Sequence, residues 1–510
     1  MKEKDDLFEL IQSMDAHEKG YFKKYTRLHG NAGDNNYLLL FDAINRQQEY
    51  NEAQILQKFR GEKFIRQIGV AKHYLYELIL RSLRAYRENQ STLARLNGWM
   101  ENAEILFSKG MPAQAMKMVA KCRELIGSLD DPLRELEIQQ WERKFIGEMK
   151  AAGMDDRMAA SLAESSASVD RLKKQLELRN VYFSLLWIVR KDMSLRNKAV
   201  KQEMERIIEH PLLKDEDALE GFFQKLNFYN TWNIYYYLGG EKEKAYMYIR
   251  RVVDLWNEHP EIRDQNIDVY IGGLNNFIIS CLALHKFGEV RERMEELDRL
   301  PLQSPGIKAR IFENASLWKQ SLGMMSGDAE YLEQLCVELE EGLETYTDKI
   351  HEVRVMLINY GLAMIYFLIM RHDKALAKVN AILDMKKIEL RKDIQANARI
   401  LNLLIHYELG NEDLLEYITR STRRYLESRE NFYEYEKIIF GALNKLTRKD
   451  DPQSRAEIFH ELKADLEDHG RNNEEERILI NFFDIRAWVD AKVENIPLLE
   501  AFRRSKQYST

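Results

Sequence analysis

The sequence predicts an all-α protein. Eight prolines and 24 glycines are few for 510 residues, and residues that favour helices are plentiful. Apolar residues recur at helical spacing almost without interruption, whereas no run alternates for long enough to predict a strand. Because one hydrophobic core rarely serves a chain of this length, we expect several domains or an elongated array.

Composition limits the possible functions. With 31% charged and 45% hydrophobic residues, the chain has the composition of an ordered soluble protein. Its net charge of −7 gives no general attraction to nucleic acid or to an anionic membrane. Three cysteines lie far apart in apolar helical contexts, which fits a reducing cytoplasm and predicts neither a disulfide framework nor a metal site. We therefore expect a cytoplasmic protein without a cofactor.

Neither a signal peptide nor a membrane span is predicted. The N-terminal stretch MKEKDDLFELIQSMDAHEKG carries acidic residues before any apolar run, unlike a secretory leader. The longest apolar stretch, residues 355–370, contains Asn359 and Gly361 and is too short to cross a bilayer comfortably. We interpret it as a buried helix.

Residues 1–90 predict an N-terminal helical domain. Asp15 and Glu18 form a capping box for the helix that carries YFKKYTRL. Two short amphipathic helices follow, within NNYLLLFDAINRQ and NEAQILQKF, and then a long one within EKFIRQIGVAKHYLYELILRSLRAYREN. The expected buried side of the long helix comprises Ile68, Leu75, Leu78, Ile79 and Leu83.

One spacing recurs in three later segments, with successive members four, three, four, five, four and three positions apart. The members are Trp99, Ala103, Leu106, Gly110, Ala115, Val119 and Cys122; Tyr229, Asn233, Tyr236, Gly240, Ala245, Ile249 and Val252; and Asn359, Ala363, Tyr366, Met370, Ala375, Val379 and Ile382. Bulky members would fill the gap between two antiparallel helices, and small members would lie where the backbones approach. A glycine or flexible turn would join the two helices.

This spacing resembles the tetratricopeptide (TPR) repeat, whose signature runs Trp, Leu-Gly, Tyr, then Ala, Phe and Pro. Residues 99–122 match best, whereas Asn233 departs from the small residue expected at its position. Looser helix-turn-helix segments continue at intervals of about 40 to 46 residues, longer than the usual TPR unit. The resemblance implies a right-handed TPR-like α-solenoid over residues 91–450. The whole chain also resembles long all-helical bacterial proteins, which implies no particular activity.

Two regions interrupt this array. Residues 151–180 are rich in Ala and Ser, and they predict either a long exposed helix or a joint between two sub-arrays. Their sparse apolar stripe comprises Met158, Leu162, Val169, Leu172 and Leu176. Residues 451–510 predict C-terminal capping helices, because a solenoid must cover its last apolar face.

No catalytic signature is present in the sequence. It has no Gly-rich phosphate loop with its Lys-Ser/Thr and no Gly-x-Ser-x-Gly elbow. The 11 histidines never pair at i, i+4. His285 and His406 lie at the ends of predicted repeat helices, where a structural role is favoured over that of a general base. We predict that the protein is not an enzyme.

A basic segment between residues 58 and 87 raises the possibility of DNA binding. Two short helices followed by a longer basic one can form a helix-turn-helix. The contacts to DNA would then come from Lys63, Arg66, Lys72 and His73. The favoured alternative is a packed helix whose cations extend to solvent along its apolar stripe.

Asparagines recur in the predicted first helix of each pair, although asparagine is a poor helix former. In a TPR-like array these helices line the concave side, and an amide can both donate to and accept from a peptide backbone. The predicted groove comprises Asn227, Asn230, Ile234, Tyr237, Asn275, Asn276, Asn359, Tyr360, Phe367 and Asn397. Alternatively, the amides hold neighbouring helices together, while Tyr229, Trp232 and Tyr236 pack inside their pair.

Two functional hypotheses follow. The first is a non-enzymatic scaffold that holds a peptide or protein segment in this groove through shape, rings in pockets and amide hydrogen bonds. The second is a transcriptional or signalling regulator with DNA-binding N-terminal helices and partner-sensing repeats.

Overall fold

The predicted all-α class is confirmed. The computed structural model describes residues 6–29, 35–88, 91–148, 154–191, 198–299, 305–385, 392–427, 434–446, 451–472 and 485–507, and every regular element within these ranges is helical. The helices of the N-terminal part are α1 (Asp6–Ser13), α2 (Ala16–His29), α3 (Asn35–Asn45), α4 (Glu52–Lys58) and α5 (Ile68–Glu88).

The central part of the chain contains α6 (Thr92–Ser108), α7 (Pro112–Ile126), α8 (Pro132–Glu148), α9 (Met154–Lys191), α10 (Lys198–Ile208), α11 (Phe222–Leu238), α12 (Lys242–Glu258), α13 (Pro260–Gln265), α14 (Ile267–Ala283) and α15 (Phe287–Asp298). The C-terminal part contains α16 (Pro305–Ser326), α17 (Ala329–Tyr346), α18 (Glu352–Leu368), α19 (His372–Leu383), α20 (Lys392–Glu408), α21 (Glu412–Glu427), α22 (Glu434–Leu446), α23 (Pro452–Asn472), α24 (Ile485–Glu494) and α25 (Leu498–Gln507).

The N-terminal helices have an apolar core of their own. The capping box at the start of α2 is confirmed, because Glu18 N donates to Asp15 Oδ1 at 2.8 Å and Asp15 N donates to Glu18 Oε2 at 3.0 Å. Leu75 and Ile79 of α5 are fully buried, and α5 packs against α1, α2 and α3. α5 also contacts α6, which connects this core to the rest of the chain.

Five helix pairs are joined by the same kind of turn. One residue in each turn has a positive φ, namely Gly110 (75°), Gly240 (77°), His285 (55°), Met370 (61°) and Gly410 (69°). The N–H of the next residue donates to the carbonyl five positions before it, in the pairs Met111–Leu106, Glu241–Tyr236, Lys286–Cys281, Arg371–Tyr366 and Asn411–His406. This is the Schellman motif, which satisfies carbonyls that a helix end would otherwise leave unpaired.

The predicted spacing marks pairs that pack closely. α6 packs against α7, α11 against α12, and α18 against α19. The predicted inward positions of the second helices are buried throughout: Ala115, Val119 and Cys122; Ala245, Ile249 and Val252; and Ala375, Val379 and Ile382. Asn233, the exception in the pattern, donates from Nδ2 to Ala245 O at 2.9 Å. The amide therefore spans the pair where a small residue was expected.

Two predicted long elements are resolved as helices. α9 is one continuous helix of 38 residues that contacts α8, α10 and α11, and Leu162, Val169 and Leu176 of its stripe are exposed. The apolar stretch 355–370 contributes residues 355–368 to α18, and residues 358–368 are all buried, as predicted. None of the helices that the structure describes has the length and hydropathy of a membrane span.

The C-terminal helices pack against earlier helices of the chain. Trp488 of α24 is buried, and its Nε1 donates to Glu408 Oε1 of α20 at 2.6 Å. α25 contacts α16 and α18. One apolar cluster extends from Ala309 to Phe502 and includes helices on both sides of the predicted boundary at residue 450. The sequence predicted only that these helices cover the last apolar face. In the structure they also contact α16, α18 and α20.

Candidate functional site

Both ends of α11 are fixed by hydrogen bonds. Asp130, in the loop after α7, has a left-handed backbone (φ 50°), and its Oδ2 accepts from Phe223 N at 3.1 Å. Burial raises the pKa of Asp130, against the opposing effect of this hydrogen bond. The other end of α11 closes with the turn at Gly240. The side chains of α11 are thus presented on a well-anchored helix.

The five turns define equivalent positions on the first helices. We call the residues ten and three positions before each positive-φ residue the first-helix face. Its members are Met100 and Phe107 on α6, Asn230 and Tyr237 on α11, Asn275 and Leu282 on α14, Tyr360 and Phe367 on α18, and Ile400 and Tyr407 on α20. The two residues of each helix are seven positions apart, so they lie on the same side of it. Five of the predicted groove residues occupy these positions.

Three of the predicted amides are used within the protein. Asn227 Nδ2 donates to Phe223 O at 2.8 Å, and Asn359 Nδ2 donates to Val355 O at 3.0 Å. Each of these two bonds lies within one helix. Asn275 Oδ1 accepts from Trp318 Nε1 at 2.9 Å and so joins α14 to α16. These three contacts agree with the alternative in which amides hold helices together.

Three other predicted amides keep their hydrogen-bonding capacity. Asn230 is only 8% exposed, yet its side chain forms no hydrogen bond within the described part of the chain. The same holds for Asn276 and Asn397, which are half-buried. Both polar atoms of the Asn230 side chain are reached by solvent, so its donor and acceptor groups stay available to a ligand.

Tyr237 is the most accessible of the predicted apolar anchors. Its side chain is 42% exposed, yet burial raises the pKa of its phenol. Both facts fit a ring in a recess that solvent can reach. By contrast, Ile234 packs in the apolar cluster with Leu185 of α9, and Tyr360 and Phe367 are buried. Those three side chains belong to the core, and they present no surface for a partner.

The aromatic side of α11 borders a cleft. The Trp232 ring stacks on Tyr236 at 5.4 Å and on Tyr248 at 6.0 Å between centroids, and Lys244 Nζ lies 5.0 Å from the Tyr236 ring. Phe228, Trp232 and Tyr248 line a cleft of about 530 Å³. Trp232 Nε1 is buried without a hydrogen-bond partner. Sequence reasoning missed this cleft because Tyr248 comes from the second helix.

The predicted DNA contacts are not equivalent in the structure. Lys72 Nζ donates to Tyr50 Oη at 2.8 Å and to Glu52 Oε2 at 2.9 Å, so this cation fastens α5 to the segment before it. Arg66 and His73 are exposed. Lys63 begins the short 3-10 turn before α5, and its side chain lies outside the described residues.

The three cysteines are buried where the thiolate form is disfavoured. Burial raises the pKa of Cys122 to about 11 and the pKa values of Cys281 and Cys336 to about 12, so these thiols stay protonated near neutral pH. His285 occupies a left-handed turn position, and His406 is buried with Nδ1 3.1 Å from Asn411 Nδ2. Within the described ranges, no group of three or more His, Cys, Asp or Glu residues is arranged to hold a metal ion.

Comparisons with protein-family models, with curated proteins and with solved structures found no match. The resemblance to TPR proteins therefore depends on the residue spacing of the helix pairs.

Proposed function

We propose that the helix pairs stack into a right-handed TPR-like α-solenoid, with the first-helix face on its concave side. The five turns with the same hydrogen bonds support this proposal, because similar units in succession build a regular superhelix. The three free, buried cysteines fit a location in the cytoplasm.

In this proposal the protein is a non-enzymatic scaffold that holds a peptide or protein segment against α11 and α14. The observation that carries it is the unpaired Asn230 amide on the same side of α11 as the accessible Tyr237. An extended peptide presents N–H and C=O groups that an amide can bind together. A tyrosine ring supplies a large contact area with few rotatable bonds. The mechanism is capture, without a covalent step.

Selection of displayed random peptides on the full chain would test this function. We expect Asn230→Ala and Asn276→Ala each to weaken binding of a selected peptide at least tenfold, or about 1.4 kcal/mol. Because neither amide holds a neighbouring helix, the melting temperature should stay nearly unchanged. Tyr417→Ala is the control, since this α21 side chain is 69% exposed and lies off the first-helix face.

The opposite result is equally measurable. If the two variants melt several degrees lower while their affinity for the peptide is unaltered, the amides stabilise the helices and the groove proposal fails. Affinity lost equally in the Tyr417→Ala control would also contradict a site on the first-helix face.

DNA binding by the N-terminal helices remains the second candidate function. It is favoured by Arg66, Arg81 and Arg84, which are exposed and form no ion pair within the described part of the chain. Retention of the full chain on duplex DNA or heparin, with a steep salt dependence that Arg66→Ala and Arg84→Ala reduce, would support it. Elution at low salt would contradict DNA binding by these helices.

A further inference from the structure

The outer side of the long helix α9 carries an apolar stripe with a strict interval of seven residues. Its members are Leu162, Val169, Leu176 and Phe183, which are 55%, 51%, 37% and 56% exposed. Apolar residues at this interval are the repeat of helices that pair along their length. The stripe extends for about 32 Å along α9, at 1.5 Å per residue.

The inner side of the first half of α9 is polar. Ser161 and Ser168 are buried, and Gln139 Nε2 of α8 donates to Ser168 Oγ at 3.2 Å. A surface helix ordinarily turns its apolar residues to the core and its polar residues to solvent. α9 does the reverse here, because serines face α8 while Leu162 and Val169 face solvent. Such a reversal is expected where the outer side of a helix packs on another helix.

Charge is divided between the two halves of α9. Residues 155–170 contain four acidic residues and one basic residue, a net charge of −3, whereas residues 171–188 contain four basic residues and one acidic residue, a net charge of +3. Asp170, Lys173 and Arg179 are exposed and form no ion pair within the part of the chain that the structure describes. Two such helices in opposite directions place the acidic half of each beside the basic half of the other, whereas parallel helices place like charges together.

We propose that two copies of this chain form a dimer in which their α9 helices pair as an antiparallel two-stranded coiled coil. Leu162 of each copy lies beside Phe183 of the other. Val169 of each copy lies beside Leu176 of the other, so a twofold axis passes between positions 172 and 173. The stripe lies outside the first-helix face, and dimerisation is therefore independent of peptide capture on α11.

Polar residues between the members of the stripe suit a specific pair. Ser166, Lys173 and Asn180 each follow a stripe residue by four positions. Polar residues at such positions lower the affinity of a coiled coil, but they fix its register and the number of its helices. In the antiparallel register, Lys173 and Arg179 each lie within about one helical turn of the second copy's Asp170. Opposite charges therefore flank the apolar contacts on both sides of the axis.

Sedimentation equilibrium of the full chain tests the dimer. The wild-type chain should dimerise, and Val169→Glu together with Leu176→Glu should raise the dissociation constant at least tenfold, because carboxylates would then meet in the apolar contact. Val337→Glu is the matched control, since this α17 valine is 46% exposed and lies off the stripe, and it should leave the dissociation constant unchanged. A wild-type chain that is still monomeric at about 100 μM would overturn the proposal. A dimer that survives in a double variant shown to be folded by circular dichroism would also overturn it.

Disulfide cross-linking tests the orientation with variants that keep the stripe uncharged. Chains with Val169→Cys, mixed with chains that carry Leu176→Cys and then oxidised, should form a covalent dimer. Each variant alone should not, because equivalent positions lie about 10 Å apart along an antiparallel pair, too far for a disulfide. The wild-type chain is the control, since its three cysteines are buried. Cross-linking of either variant to itself as readily as in the mixture, or no cross-linking in the mixture, would overturn the antiparallel pair.

Discussion

At the scale of single residues, the buried amides differ in what they do. Gln320 Nε2 of α16 donates to Ile358 O of α18 at 2.9 Å. A Cβ atom at Gly361 would overlap the Gln320 amide. The glycine at 361 therefore makes room for a hydrogen bond between α16 and α18.

Replacement of Gly361 tests this contact. Gly361→Ala should lower the free energy of unfolding by about 1–3 kcal/mol, because the Gln320 amide must move and leave its acceptor. Gly441→Ala is a matched control in α22, with open space around the added methyl group, and should raise the free energy of unfolding by up to about 1 kcal/mol. Urea unfolding measures both changes. Equal effects of the two substitutions would contradict the predicted clash.

The buried His406 predicts a pH dependence. Burial lowers its pKa below the ordinary 6.5, so below that pH the unfolded chain binds more protons than the folded chain. The contribution of neutral His406 to the free energy of unfolding is therefore fully present above about pH 6.5. It is lost as the pH falls through the lowered pKa of His406 in the folded chain. His406→Gln should reduce the loss of stability between about pH 7.5 and pH 5.5, measured by urea unfolding. An unchanged loss in the variant would contradict this assignment.

Sequence reasoning identifies the amides but cannot distinguish their roles. Asn227 and Asn230 lie three residues apart on α11, yet only Asn227 donates to a backbone carbonyl. Phe367 and Tyr237 are both aromatic and hold equivalent positions, but Phe367 is fully buried and Tyr237 is 42% exposed. Hydrogen-bond partners and covering helices are properties of the tertiary structure, so local spacing does not reveal them.

At the scale of helix pairs, local sequence is more informative. Gly110 and Gly240 were predicted as turn positions, and both have the positive φ that glycine tolerates best. Met370 was selected by the same spacing and adopts the same conformation without being glycine. His285 does so as well, although no glycine marks that turn in the sequence. The spacing of apolar residues predicts these pairs because their contacts lie close in the chain.

Substitutions at two of the turns should change the free energy of unfolding in opposite directions. Met370→Gly should raise the free energy of unfolding by about 0.5–1 kcal/mol, because relief of the left-handed strain exceeds the added entropy of the unfolded chain. Gly240→Ala should lower the free energy of unfolding by about 1 kcal/mol or more, because alanine is strained in the left-handed conformation that glycine tolerates. Thermal melting of both variants measures the difference. Changes of the same sign would contradict a shared turn conformation.

At the scale of the whole molecule, the last described helices pack against helices that lie far from them in the sequence. Arg503 and Met324 are 179 residues apart in the sequence, and no local pattern links them. The capping role of residues 451–510 was predicted, but the return of α25 to α16 and α18 was not. The all-α class followed from composition and periodicity, whereas the accessible part of the first-helix face follows only from the tertiary structure.

In the proposed function, a partner peptide binds the first-helix face beside Tyr237. Photo-cross-linking tests it most directly, with benzoylphenylalanine placed at Tyr237 in one full-length chain and at Tyr417 in another. A selected peptide should cross-link to the probe at position 237 and not to the probe at position 417. A peptide that binds both chains and cross-links only at position 417, or equally at the two positions, would contradict it.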